Sequence, residues 1–212
     1  MNEKKLTIKE TFAQAFQNHQ QNNLQAAEKF YKEILKINPN HAESAFYLGA
    51  LAIQTRRFNL AKQLYEKVVF IRPDYAEAHN NLGSVLRELG EYEEAIICYE
   101  KAIQIHPQYA AAHSNLGAVL LELGKYMEAA KCCEKAIQIQ SDLISAHSNL
   151  GLIFRELGDI QKAINHYLKL SQMQPNSSRP HQNLARLYVM LGDIQKAIGS
   201  YQEAVKNEPE NL

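Results

Sequence analysis

Four histidines stand 34 residues apart, His79, His113, His147 and His181, and imidazole is among the commonest metal ligands. A shared ion would need each ligand atom about 2 Å away. Equivalent side chains of stacked helical repeats lie roughly 10 Å apart, about one helix diameter. Four rings so spaced cannot meet on one metal. The column reads instead as partly buried rings, each with one hydrogen-bonded nitrogen. Cys98, Cys132 and Cys133 lack metal-ligand spacing. Cys98 and Cys132 share a repeat position, beyond the roughly 7 Å reach of a disulfide, so all three read as small buried or half-buried residues. Glu93, Glu94 and the series Glu88, Glu122 and Glu156 read as solvated helix faces, because proton transfer demands burial and a facing partner. The sequence contains no phosphate loop, dinucleotide fingerprint, nucleophile elbow or His-Glu-x-x-His. No catalytic residue, cofactor or metal is expected, and the chain reads as a non-enzyme.

What remains is a column of amides. Asn81, Asn115, Asn149 and Asn183 recur at the same 34-residue spacing, whereas the two earlier equivalents are Ala13 and Tyr47. Asparagine inside a helix costs roughly 0.5 kcal/mol against alanine, so helix stability does not explain four in register. A side-chain amide offers a donor and an acceptor, the complement of a peptide group. Extended chain rises about 3.3 Å per residue, so repeats about 10 Å apart would meet every third residue of a bound segment. Each such bond nets only about 0.5–1.5 kcal/mol. Specificity must then come from charged neighbours, here Glu77, Arg87, Arg155, Arg179 and Arg186. The face is expected to be solvent-lined, with alanine replacements leaving stability nearly unchanged.

The elements that position these residues follow from the repeat. Ala-His-Asn-Asn-Leu-Gly at 78–83 returns as Ala-His-Ser-Asn-Leu-Gly at 112–117 and 146–151. The same ruler gives six units, 8–41, 42–75, 76–109, 110–143, 144–177 and 178–211, after an extension over 1–7. Alanine fills the twentieth position of all six, tyrosine the twenty-fourth of five, and proline the thirty-second of five. In the third unit Leu82, Val85, Leu86 and Leu89 follow helical spacing, with Asp74 and Glu77 as a capping box. Gly90 supplies a left-handed stop. Glu91 caps a second helix with the stripe Tyr92, Ala95, Ile96, Tyr99 and Ile103, which Pro107 ends. Small residues at eight and twenty, such as Gly83 and Ala95, let the two helices approach closely. The fourth unit, lacking the proline and the aromatic, predicts a longer second helix.

This pattern resembles the tetratricopeptide repeat over nearly the whole chain. The resemblance implies an all-α fold, a right-handed α-solenoid of six helix–turn–helix repeats forming one domain over 8–212, with the first helices lining its concave side. Asn18 and Asn22 make the first unit the departure expected of a capping repeat. The asparagine column and its surrounding wording are also similar to the repeat arm of protein O-GlcNAc transferases. In that family the ladder holds extended substrate protein, and the transferase domain lies elsewhere. The carboxylate clamp of chaperone-binding relatives is not matched, since Ser114, Ala118, Asn149, Arg179 and Asn183 satisfy two of its five positions.

Composition sets the outer limits. Twenty-three basic and 23 acidic residues cancel, which argues against nucleic acid as a partner. A hydrophobic content of 46% with 22% charged residues fits a folded chain. The longest uncharged run, 102–121, carries Gln104, Pro107 and Asn115, so no membrane span is expected. No signal peptide is evident in the first residues, and a cytoplasmic location follows as the expectation. Asn176-Ser177-Ser178 is a formal glycosylation triplet without that context. The last unit carries no covering helix, so Tyr201, Ala204 and Val205 are expected to face water. A chain cut from a longer protein, self-association there, or a tolerated apolar patch would account for it. The expected partner is a protein or peptide held on a scaffold; the alternative is a recruiting arm of a larger glycosyltransferase or methyltransferase.

Overall fold

Twelve helices in six consecutive pairs make up the computed structural model, which describes residues 7–207, with no strand among them. The first helices are α1 (Ile8–Gln20), α3 (Ala42–Gln54), α5 (Ala76–Glu88), α7 (Ala110–Glu122), α9 (Ile144–Glu156) and α11 (Ser178–Met190). Their partners are α2 (Leu24–Ile37), α4 (Phe58–Ile71), α6 (Tyr92–Ile105), α8 (Tyr126–Ile139), α10 (Ile160–Met173) and α12 (Ile194–Asn207). Every first helix begins on the first residue of a predicted unit. Residues 1–6 of the N-terminal extension, Pro209 and Leu212 lie outside the described residues. The chain packs as two units that meet in sequence between Pro107 and Gln108.

The seam within the second to fifth pairs is set by positions eight and twenty-four. A Cβ on Gly83 would lie 2.8 Å from the Tyr99 ring, on Gly49 3.0 Å from Tyr65, and on Gly151 2.7 Å from Tyr167. The crowding group is therefore the tyrosine, not the alanine at position twenty that sequence spacing suggested. In the fourth pair Cys133 takes the tyrosine's place, and a Cβ on Gly117 would strike its sulfur and come within 3.1 Å of the Ala129 carbonyl. A methyl group at any of these sites would cost about 1–3 kcal/mol by overpacking.

Helix ends depart from expectation in three places. Asp74 and Glu77 form no capping box, because Tyr75 is the N-cap and makes no side-chain bond. Glu91 does not cap α6 through its side chain either; it is drawn to Lys62 on α4. And α8 has the same 14 residues as α6, although Ser141 replaces the proline. There His147 Nε2 lies 3.0 Å from the Ser141 carbonyl and fixes the turn. The left-handed residue between paired helices is Gly90, as expected, with Gly124, Gly158 and Gly192. Asn22 and Arg56 hold the same conformation at φ 58° and 57°.

In the unit ending at Pro107, aromatic residues dominate. Phe12, Tyr31 and Tyr47 pack with centroids 5.8 to 6.2 Å apart, and Phe46 meets Tyr65 at 5.6 Å. Arg57 donates two 2.8 Å bonds to Glu28 and ties α4 to α2. That guanidinium, aided by Lys32 and opposed by partial burial, holds the Glu28 carboxyl down at about 2. In the unit from Gln108, α7 and α9 are joined through Ser114, whose hydroxyl lies 2.9 Å from that of Ser145. On α12, Tyr201 and Val205 are exposed as expected and continue a stripe with Ile194 and Ile198, but Ala204 is buried. Alanine at that position follows the packed face toward α11, one residue away from the exposed stripe.

Candidate functional site

The four asparagines sit on first helices, half-buried rather than solvent-lined. Asn81 Nδ2 donates to the Tyr65 hydroxyl at 3.3 Å, joining α5 to the tyrosine of the preceding repeat. Asn149 Nδ2 donates to the Ser114 carbonyl at 3.2 Å, joining α9 to α7. Asn183 Nδ2 turns back to the Arg179 carbonyl of its own helix at 3.1 Å. The expectation that alanine leaves stability unchanged is corrected here for Asn81 and Asn149, whose amides hold neighbouring repeats together. A hydrogen bond of this kind contributes about 0.5–1.5 kcal/mol, more when its loss strands a buried partner.

The charged neighbours separate by unit. In the unit ending at Pro107, Glu77 is exposed, while Arg87 lies 3.4 Å from Glu88 and lines a cleft of about 270 Å³ with Ile53, Phe58 and Ser84. In the other unit Arg155 is bound to Glu156 at 2.6 Å, and Arg179 and Arg186 are exposed. Arg179 and Asn183 line a second cleft, of about 230 Å³, between α9, α10 and α11. Its other polar walls are Ser148, Tyr167 and Gln174, and its apolar walls are Ile144, Leu170 and Pro180. Tyr167 escaped the sequence reading because position twenty-four looks like core everywhere. The signal that could have found it is Ser148, at a position held by Phe12 and Phe46 in the first two repeats.

The histidine column performs local work. His79 Nε2 lies 3.0 Å from the Pro73 carbonyl, as His147 does from Ser141, so both rings tie a helix to its preceding turn. His147 Nδ1 also lies 3.0 Å from Nδ1 of His166. Because His147 Nε2 must donate to a carbonyl, its Nδ1 is the acceptor and His166 the donor. Burial, reinforced by His147, pushes the His166 imidazole down to about 4. Cys98 and Cys133 are thiols outside any disulfide. Burial pushes the Cys98 thiol up to about 11 and the Cys133 thiol up to about 12, so neither is a thiolate at neutral pH. Among the described residues no group of three or more His, Cys, Asp or Glu side chains could hold a metal, and no helix is long and apolar enough to cross a membrane.

Comparison with known proteins agrees with this architecture. No curated protein matches the sequence significantly. Among solved structures, PilW, a widely conserved type IV pilus biogenesis factor, superposes with a TM-score of 0.88 at 17% identity over 98% of this chain and 96% of its own. PilF of Pseudomonas aeruginosa gives 0.82 at 22% identity over 97% and 93%. YrrB, described as a TPR protein with an unusual peptide-binding site, gives 0.66 at 19% identity over 85% and 93%. At these identities the likeness is one of fold. A TPR repeat model matches residues 83–124, and tetratricopeptide repeat models match 19–84, 108–176 and 142–207. Taken with six helix pairs in 34-residue register, these matches place the chain in the tetratricopeptide repeat family.

Proposed function

We propose that the chain is a non-enzymatic interaction scaffold that holds an extended segment of another protein along its first-helix faces. The observation that carries this reading is the asparagine column. Asn81 lies in one unit and Asn115, Asn149 and Asn183 in the other, all half-buried at equivalent points of α5, α7, α9 and α11. An amide carries two N–H donors and a carbonyl oxygen with two lone pairs, more bonding capacity than one contact within the fold uses, and so can also address a peptide group. Glu77, Arg87, Arg155, Arg179 and Arg186 are the flanking charges that would select sequence. The peptide-binding site named for YrrB supports such a use of the fold. Thiols at Cys98 and Cys133 suit a reducing, cytoplasmic compartment, and the exposed stripe on α12 supports self-association at the last repeat.

The test is selection from a random-peptide display library on the intact chain, followed by rebinding to Asn183→Ala. Asn183 is chosen because its amide bonds only within its own helix, so the variant keeps its fold. Affinity should fall roughly 2- to 12-fold, the worth of one hydrogen bond. Unchanged affinity with unchanged melting temperature would remove Asn183 from the ladder. A second reading, a non-catalytic recruiting arm of a larger glycosyltransferase or methyltransferase, is favoured by the Ala-His-x-Asn-Leu-Gly wording around Asn81, Asn115 and Asn149. It makes the same binding prediction and differs in requiring a catalytic domain in the same reading frame.

A further inference from the structure

Position twenty-four carries a tyrosine that three repeats close over in different ways. Tyr65 accepts from Asn81 and is covered by the Phe46 ring. The Tyr99 hydroxyl donates to Ser84 Oγ at 3.2 Å. The Tyr31 hydroxyl has no bond among the described residues, but its ring packs with Phe12, His19 and Tyr47, with ring centroids 6.0, 6.1 and 6.2 Å away. In the fourth repeat, where Cys133 replaces tyrosine, Asn149 and Ser114 bond across the same place.

Tyr167 has none of these covers. Position five of its repeat is Ser148 where Phe12 and Phe46 stand earlier, and position nine is Leu152 where Ser84 serves Tyr99. Asn183, in register with Asn81, has its amide on the Arg179 carbonyl instead. The result is a side chain only 2% exposed whose hydroxyl has no hydrogen-bond partner among the described residues, in the wall of the 230 Å³ cleft. An unbonded buried hydroxyl is costly, so a ligand oxygen placed there recovers a full hydrogen bond. The surroundings define that oxygen's charge. Arg179 lines the cleft, and the charges of Arg155 and Arg186 reach Tyr167. Among the described residues no carboxylate lines the cleft. Arg155 is engaged by Glu156, whereas Arg179 and Arg186 have no ion pair among the described residues. The walls of Ile144, Leu170 and Pro180 suit methylene groups.

We propose that this cleft is a pocket for an acidic side chain of the bound segment, with the Tyr167 hydroxyl and the Arg179 guanidinium donating to its carboxylate and the apolar walls holding its short stem. The inference rests on the peptide-binding reading above. Asn183, held only by its own helix, is the movable wall that admits the ligand.

The experiment is display selection with random peptides on the wild-type chain, Tyr167→Phe and Arg179→Gln, followed by affinities of C-terminally amidated winners. The expected result is enrichment of Glu or Asp at one fixed position. Affinity should then fall about tenfold with Tyr167→Phe, the scale of a hydrogen bond to a charged group, and by the same factor when the peptide's acid becomes its amide. The two changes together should cost little more than either alone. Arg179→Gln should weaken binding and flatten its salt dependence. Peptides that bind without a fixed acid, or bind Tyr167→Phe equally, overturn the pocket and leave the peptide groove standing. Winners that need a free C-terminus overturn the side-chain assignment in favour of a chain-end carboxylate. If no peptide is retained on any form, the peptide-binding reading itself fails, and the pocket with it.

Discussion

Tyr65 and Tyr167 occupy the same repeat position and are both fully enclosed, yet one hydroxyl is bonded and the other is not. That difference makes opposite expectations for one chemical change. Tyr65→Phe removes the acceptor of Asn81 and should cost about 0.5–1.5 kcal/mol. Tyr167→Phe removes a hydroxyl that bonds nothing within the described residues and should be neutral or raise the melting temperature. Thermal unfolding of the two variants checks this; an equal loss at Tyr167 would mean that its hydroxyl is already satisfied. Repeat spacing identified the tyrosines as core and the asparagines as a column. It did not reveal that the amides reach across helices, because hydrogen bonding depends on neighbours a repeat away. Asn81, Asn149 and Asn183 therefore share a position and have three different partners.

Helix placement was the most legible level. Starts at Ile8, Ala42, Ala76, Ala110, Ile144 and Ser178 follow from the 34-residue ruler, since each turn repeats the same geometry. Helix ends were less legible: Asp74 does not cap α5, and α8 stops at Ile139 without its proline, with His147 Nε2 3.0 Å from the Ser141 carbonyl in the turn that follows. The same histidine couples α9 to α10 through His166, which stacks on Phe154 at 5.7 Å. His166 titrates below its ordinary 6.5, at about 4, because burial first and His147 second oppose its charge. The unfolded chain then binds the proton more readily than the folded one. Its stabilising contribution is present above about 6.5 and is lost as pH falls toward about 4. The melting temperature of His166→Phe should accordingly fall less than the wild type's between neutral pH and pH of about 5. Parallel curves would show that the pair does not carry the acid sensitivity.

At the scale of the whole molecule, family membership and the six-repeat plan were readable because packing positions recur in every unit. The cleft at Tyr167 was not, because it depends on the combination at variable positions, Ser148 where Phe46 covers Tyr65 and Leu152 where Ser84 bonds Tyr99. Within the unit from Gln108, three asparagines lie on the first helices α7, α9 and α11 and the cleft lies between α9, α10 and α11, while exposed Met127 and Leu168 lie on the second helices α8 and α10. These surfaces compete for the role of binding face. The deciding measurement is a nitrogen–proton correlation titration of the isotope-labelled chain with a display-selected peptide, because side-chain amides report individually. Binding along the asparagine column shifts the side-chain amide signals of Asn115, Asn149 and Asn183 and the backbone of α7, α9 and α11. Shifts confined to the second helices around Met127 and Leu168, or to the Ile194–Ile198–Tyr201–Val205 stripe of α12, would contradict it.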